Sequence, residues 1–178
     1  MATKHYVNNE EFLKALKKHR AAVNKARKEK REEPRVPEYI GKCILEIATR
    51  FSTRPNFVMY WFRDEMISDA YENCITYLLN FNPRVSKNPF AYFTQIVYYA
   101  FLRRIEKEHK HSYIKHKATE DLMLQARAAG MSEHISDWPF PPTDSQAQSV
   151  TEFVENFEEK LANKKNKQKN VRSKDAKP

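Results

Sequence analysis

The side chains best suited to chemistry form a run of rings and cations. Tyr92, Gln95, Tyr98, Tyr99, Arg103 and Lys107, with Arg104 beside them, recur at three- and four-residue steps. On a helix that spacing gathers them along one side. An aromatic ring offers an unpaired base a stacking surface, at roughly 1–3 kcal/mol per base, while guanidinium and ammonium groups neutralise phosphates and release counterions. The chemistry this run suits is therefore the holding of single-stranded or melting DNA. A competing reading makes the tyrosines edge residues of a core and the cations a solvated face.

Other reactive residues point to no catalytic centre. His109, His111 and His116 lie close together among lysines, whose charge opposes a bound metal ion, so no metal is expected. The carboxylate pairs Asp64 and Glu65, and Glu106 and Glu108, fall at solvent-facing helical positions and read as surface charge. Cys43 and Cys74 sit in apolar helical patterns and read as reduced, packed thiols. Glycine occurs only at Gly41 and Gly130, too rarely for a glycine-rich loop that wraps a phosphate. Neither enzymatic activity nor a cofactor is expected. The formal net charge of +9 calls for an acidic partner, nucleic acid first. No apolar run is long enough to span a bilayer and the first ten residues lack the apolar stretch of a secretion signal, so the expectation is a soluble, intracellular protein with no membrane partner.

Scarce glycine and long amphipathic stretches predict an all-α fold. Asn9 to Lys30 reads as a peripheral basic helix with a thin apolar stripe of Phe12, Leu13, Leu16 and Val23, and Pro34 and Pro37 end that segment, 1–37. A second helix, Glu38 to Phe51, buries Ile40, Ile44, Ile47 and Phe51. A third, Phe57 to Asn80, has the widest apolar face: Ile67, Ala70, Tyr71, Cys74, Ile75 and Leu78. Asn88-Pro89 pairs a capping residue with the one helical position that suits proline, so a fourth helix starts there and runs to about Lys110, with Phe93, Ile96, Val97, Ala100 and Ile105 inward. Thr119 is expected to cap a shorter helix ended by Gly130, closing a compact domain over 38–130. Beyond it lie a polar, proline-broken linker (131–149), an acidic amphipathic helix (150–163) with Phe153, Val154, Phe157 and Leu161 along one side, and a flexible lysine-rich tail (164–178).

The stretch from Glu65 to Phe81-Asn82, followed by Asn88 to Ile105, resembles the second conserved region of bacterial sigma factors. Tyr6-Val7-Asn8-Asn9, Ile47-Ala48, Arg50-Phe51, Asn56-Phe57, Asp64-Glu65-Met66-Ile67, Asn88-Pro89 and Arg104-Ile105 are similar to the late-transcription sigma factors of T-even-type bacteriophages. The resemblance spans roughly Tyr6 to Lys117 and rests on ordered segments rather than one motif.

The resemblance implies a promoter-recognition subunit that docks on the clamp helices of the largest subunit of host core RNA polymerase and reads the minus-ten element of late promoters. Catalysis stays with the polymerase. Glu65, Ser68, Asp69 and Glu72 fall where sigma factors touch the polymerase clamp. Tyr92 matches the tyrosine that holds a flipped-out base, offsetting the few kcal/mol that unstacking costs. The family's paired tryptophans correspond here to Gln95 and Ile96, leaving Tyr98 and Tyr99, a turn further on, as substitutes. Arg103, Arg104 and Lys107 would contact phosphates, as would Arg84 and Lys87 in the preceding loop. In the phage late family a hydrophobic and acidic C-terminal segment grips the replication sliding clamp. Its nearest equivalent is the helix holding Phe153, Val154 and Phe157, a self-packing helix being the alternative. A late co-activator and the cytoplasm of an infected bacterial host are implied with it. The rival class is a basic helical adaptor that binds DNA or RNA without polymerase.

Overall fold

The computed structural model describes residues 6–130 together with 152, 154–160, 162 and 163. Every regular element among them is helical: α1 (Asn9–Lys28), α2 (Glu38–Ser52), α3 (Pro55–Val58), α4 (Arg63–Thr76), a 3-10 turn (Leu78–Asn80) and α5 (Pro89–Ala128). The expected all-α class is thus what the chain adopts. None of these helices is long and apolar enough to cross a membrane. The chain divides into two units, Met1–Glu106 and Lys107–Pro178. The linker 131–149, Phe153 and the tail 164–178 lie outside the described residues.

Local chemistry explains where the helices begin and end. The Asn8 side chain accepts hydrogen bonds from the amides of Glu10 and Glu11, at 3.1 and 3.3 Å, and the carboxylates of those two residues complement the positive end of α1. Lys25, Arg27 and Lys28 occupy its last turn, and Lys30, in the left-handed region at φ 54°, turns the chain away. At the start of α5, Asn88 Oδ1 accepts from the Ala91 amide at 3.0 Å, and Asn9 of α1 accepts from the Phe90 amide at 3.1 Å.

The core lies in the first unit and draws on every helix there. Phe12, Ile40, Ile44, Ile47, Met66, Cys74, Phe93, Val97 and Phe101 are buried completely. The Phe12 ring of α1 lies 5.4 Å from that of Phe93 on α5, and Phe101 meets Phe51 at 5.7 Å and Phe57 at 5.2 Å. Each such side chain contributes about 1.5–3 kcal/mol by leaving water. The apolar stripe read on α1 is buried at Phe12, Leu16 and Val23, and His19 joins it. Arg20 adds a polar tie: its Nη1 donates to the carbonyl of Leu79, at 3.3 Å, and to that of Phe81, groups that the end of α4 and the 3-10 turn leave without helical donors.

Two expected elements are corrected. The single helix from Phe57 to Asn80 is broken into α3, α4 and the 3-10 turn. The break lets Phe57 and Phe62 both turn inward while Met59 and Trp61 face out, which no continuous helix allows for so many large residues in succession. Conversely, the helix expected to stop near Lys110 runs on to Ala128. Thr119 does not cap there; its hydroxyl donates to the Lys115 carbonyl at 2.9 Å, one turn back within the same helix. Gly130, at φ 76°, follows the true end.

Candidate nucleic-acid interface

α5 owes its two-sidedness to its own sequence. Phe93, Val97, Ala100 and Phe101 step along the buried side, which leaves Gln95, Tyr98, Tyr99 and Arg103 exposed on the other. Tyr98 is 41% exposed and Tyr99 49%, and their ring centroids lie 5.4 Å apart, edge to face. The base of Tyr98 is fixed by Phe51 of α2 and Phe57 of α3, whose centroids stand 6.3 and 6.4 Å from it. Behind this pair the core sets the helix; in front both rings are open to a flat partner.

The other expected contacts divide by burial. Tyr92 is only half exposed: its ring packs 5.3 Å from Phe81 and 5.1 Å from Phe93, and its hydroxyl points at the Tyr77 carbonyl, 3.4 Å away. Burial pushes the Tyr92 hydroxyl above its ordinary pKa. Arg103 is exposed, with Nη2 donating to Asn73 Oδ1 at 2.9 Å. Arg104, by contrast, is half buried and its Nη1 meets Asp69 Oδ2 at 3.2 Å. Arg84 and Lys87 are exposed in the loop before α5, and Lys107 is exposed where the second unit begins.

Of the four side chains expected to face a polymerase, Glu65, Ser68 and Glu72 are exposed at three- and four-residue steps along α4. Asp69 is the exception, since its carboxylate is bound to Arg104. In the second unit Val154 and Phe157 are half buried; the Phe157 ring lies 5.0 Å from Tyr113, whose hydroxyl donates to Glu158 Oε1 at 2.9 Å. Lys117 completes this patch, 3.4 Å from the same Glu158 oxygen.

Several exposed groups escaped the reading of the sequence. Met59 and Trp61 are 88% and 83% exposed, in the turn that interrupts the expected third helix. Four large residues in a row, Met59-Tyr60-Trp61-Phe62, were the available signal, since one helix cannot bury them all. Arg54 lies over the Phe51 ring at 4.2 Å, setting a further cation on the aromatic cluster at the end of α2, and Arg50 lies over Tyr6 at 4.7 Å. Among the described residues no group of three or more histidines, cysteines or carboxylates is placed to hold a metal ion. No protein-family model and no curated protein matches the sequence.

Proposed function

We propose that this protein is a sigma factor of the phage late type, which binds bacterial core RNA polymerase and recognises and helps to open the minus-ten element of late promoters. The observation that carries the reading is the outward pair Tyr98 and Tyr99, of which Tyr98 is held from behind by Phe51 and Phe57. Such a pair replaces the stacking that an extruded base loses, so it favours separated over paired strands. Arg103 and Arg54 supply positive charge on and beside the aromatic cluster. The exposed Glu65, Ser68 and Glu72 give α4 an acidic stripe suited to a basic helical surface such as the polymerase clamp. The residues of the sigma-like motifs supply α4 and α5, the two helices this division of labour requires.

The deciding experiment is initiation by purified bacterial core polymerase on a template with a late-type minus-ten element. Specific, salt-sensitive transcripts that appear only with the protein are the expected result. Transcription no better than that of core enzyme alone sinks the reading. If the protein then still bound single strands, the adaptor without polymerase would take its place.

A further inference from the structure

A second cationic feature lies away from α5. α1 and the turn before α5 enclose a cleft of about 490 Å³ lined by Lys17, Arg20 and Asn24 on one side and Asn82 and Arg84 on the other. The two remaining lining residues are an alanine and a proline, so the walls carry three cationic side chains and no carboxylate. Like charges held close cost energy, and a concave wall of one sign concentrates the field that draws an anion in. The walls are also braced. Arg20 Nη1 ties α1 to the carbonyls of Leu79 and Phe81, while Asn82 accepts the Arg84 amide at 3.0 Å through its side chain, and its carbonyl accepts the amides of Val85 and Ser86 at 3.1 Å each.

We infer that this cleft is a phosphate-binding site. A guanidinium presents paired donors to phosphate oxygens, an ammonium adds a point charge, and Asn24 and Asn82 bring neutral amides of the kind that complete such a shell. The volume exceeds what one phosphate fills and falls in the range of about 300–1,000 Å³ that holds small ligands, so either consecutive phosphates of a nucleic-acid strand or a free polyphosphate fits. No residue of α5 lines the cleft, but Arg84 is also one of the loop cations assigned to promoter phosphates, so the oligonucleotide arm rests on the promoter reading whereas the pyrophosphate arm does not.

The test compares the full chain with a Lys17→Gln/Arg84→Gln variant and a charge-matched control, Lys14→Gln/Lys18→Gln, whose positions on α1 are exposed but outside the cleft. Arg20 is left intact because it braces the fold. Two ligands are used, a labelled single-stranded oligonucleotide and inorganic pyrophosphate. If a strand occupies the cleft, the cleft variant binds the oligonucleotide more weakly and the salt slope of log affinity shrinks by about 1.4, two phosphates at about 0.7 each, while the control changes little. If the source is a free polyphosphate, only pyrophosphate binding is lost. Lys17→Arg/Arg84→Lys, which keeps the charge, should restore binding in whichever arm lost it. Losses no greater than the control's in both arms would overturn the site.

Discussion

Arg104 Nη1 and Asp69 Oδ2 stand 3.2 Å apart, joining α5 to α4 by an ion pair in which the Arg104 side chain is only 16% exposed. The resemblance to sigma factors implies different partners for the two, DNA for Arg104 and polymerase for Asp69. Bound to each other, they fix the angle between the helix that would read DNA and the helix that would dock. The expected outcome is a division between neighbours. Arg104→Ala and Asp69→Ala each lower stability by about 1–2 kcal/mol, between exposed and fully buried pairs, and the double variant costs less than the sum. Arg103→Ala, at an exposed position, leaves the thermal midpoint nearly unchanged and weakens strand binding. Denaturant melts and strand-binding titrations of the four variants check this; equal effects of the two arginines on both measurements would refute it.

Tyr92, Tyr98 and Tyr99 of α5 should separate in the same way. Tyr98→Ala and Tyr99→Ala each remove a stacking surface and should weaken binding of an unpaired strand by about 1–3 kcal/mol. Both rings are substantially exposed, so the cost to stability should be below that in binding. Tyr92→Ala instead opens the edge of the core beside Phe81 and Phe93, and should cost about 2–4 kcal/mol of stability before any effect on DNA is read. Tyr92→Phe keeps the packing and isolates the hydroxyl.

What the sequence disclosed follows from how each signal arises. Periodicity marked Ile40, Ile44 and Ile47, Ala70 and Cys74, and Phe93 and Val97 as core, all of them buried, because a stripe at helical spacing has one place to go. It does not reveal that Arg104 continues that stripe, four residues past Ala100 and three past Phe101, since a cation reads as solvent-facing and the Asp69 carboxylate that meets it lies on another helix. His19 and Phe101 were missed for similar reasons: a polar label hid one, and Phe101 falls between the positions chosen for the inward face. The break at Met59 to Phe62 has no glycine or proline within it, so it is set by the need to bury Phe57 and Phe62 together. The cleft needs α1 and the Asn82–Arg84 turn brought together from more than fifty residues apart, which no local pattern encodes.

His19 makes the first unit sensitive to acid. It is 6% exposed, and burial holds its pKa below the ordinary histidine value, with Glu33 opposing. The unfolded chain takes up this proton near about pH 6.5 whereas the folded chain resists it, so stability is present above that pH and is lost as pH falls through it. His19→Leu should flatten the stability profile between about pH 7 and 5 relative to the parent. Equal slopes would show that the imidazole is not the group responsible. Burial also raises the Cys43 thiol and pushes Cys74 up to about 12, so both should resist alkylation at neutral pH until the fold opens.

In the second unit the ring of Phe157 rests 5.0 Å from Tyr113, while Tyr113 and Lys117 both bind Glu158. A sliding clamp that used Phe157 as an anchor would first have to part these rings, a contact worth about 0.5–1.5 kcal/mol beyond burial. Tyr113→Ala should therefore tighten clamp capture of the full chain, by about 2- to 10-fold once that energy is no longer spent, and Phe157→Ala should abolish it. Tyr113→Phe keeps the ring contact and loses only the bond to Glu158, so it should fall between the parent and Tyr113→Ala. If Tyr113→Ala leaves clamp binding unchanged or weakens it, Phe157 serves the packing of its own unit, and the alternative of a self-packing helix is the right one.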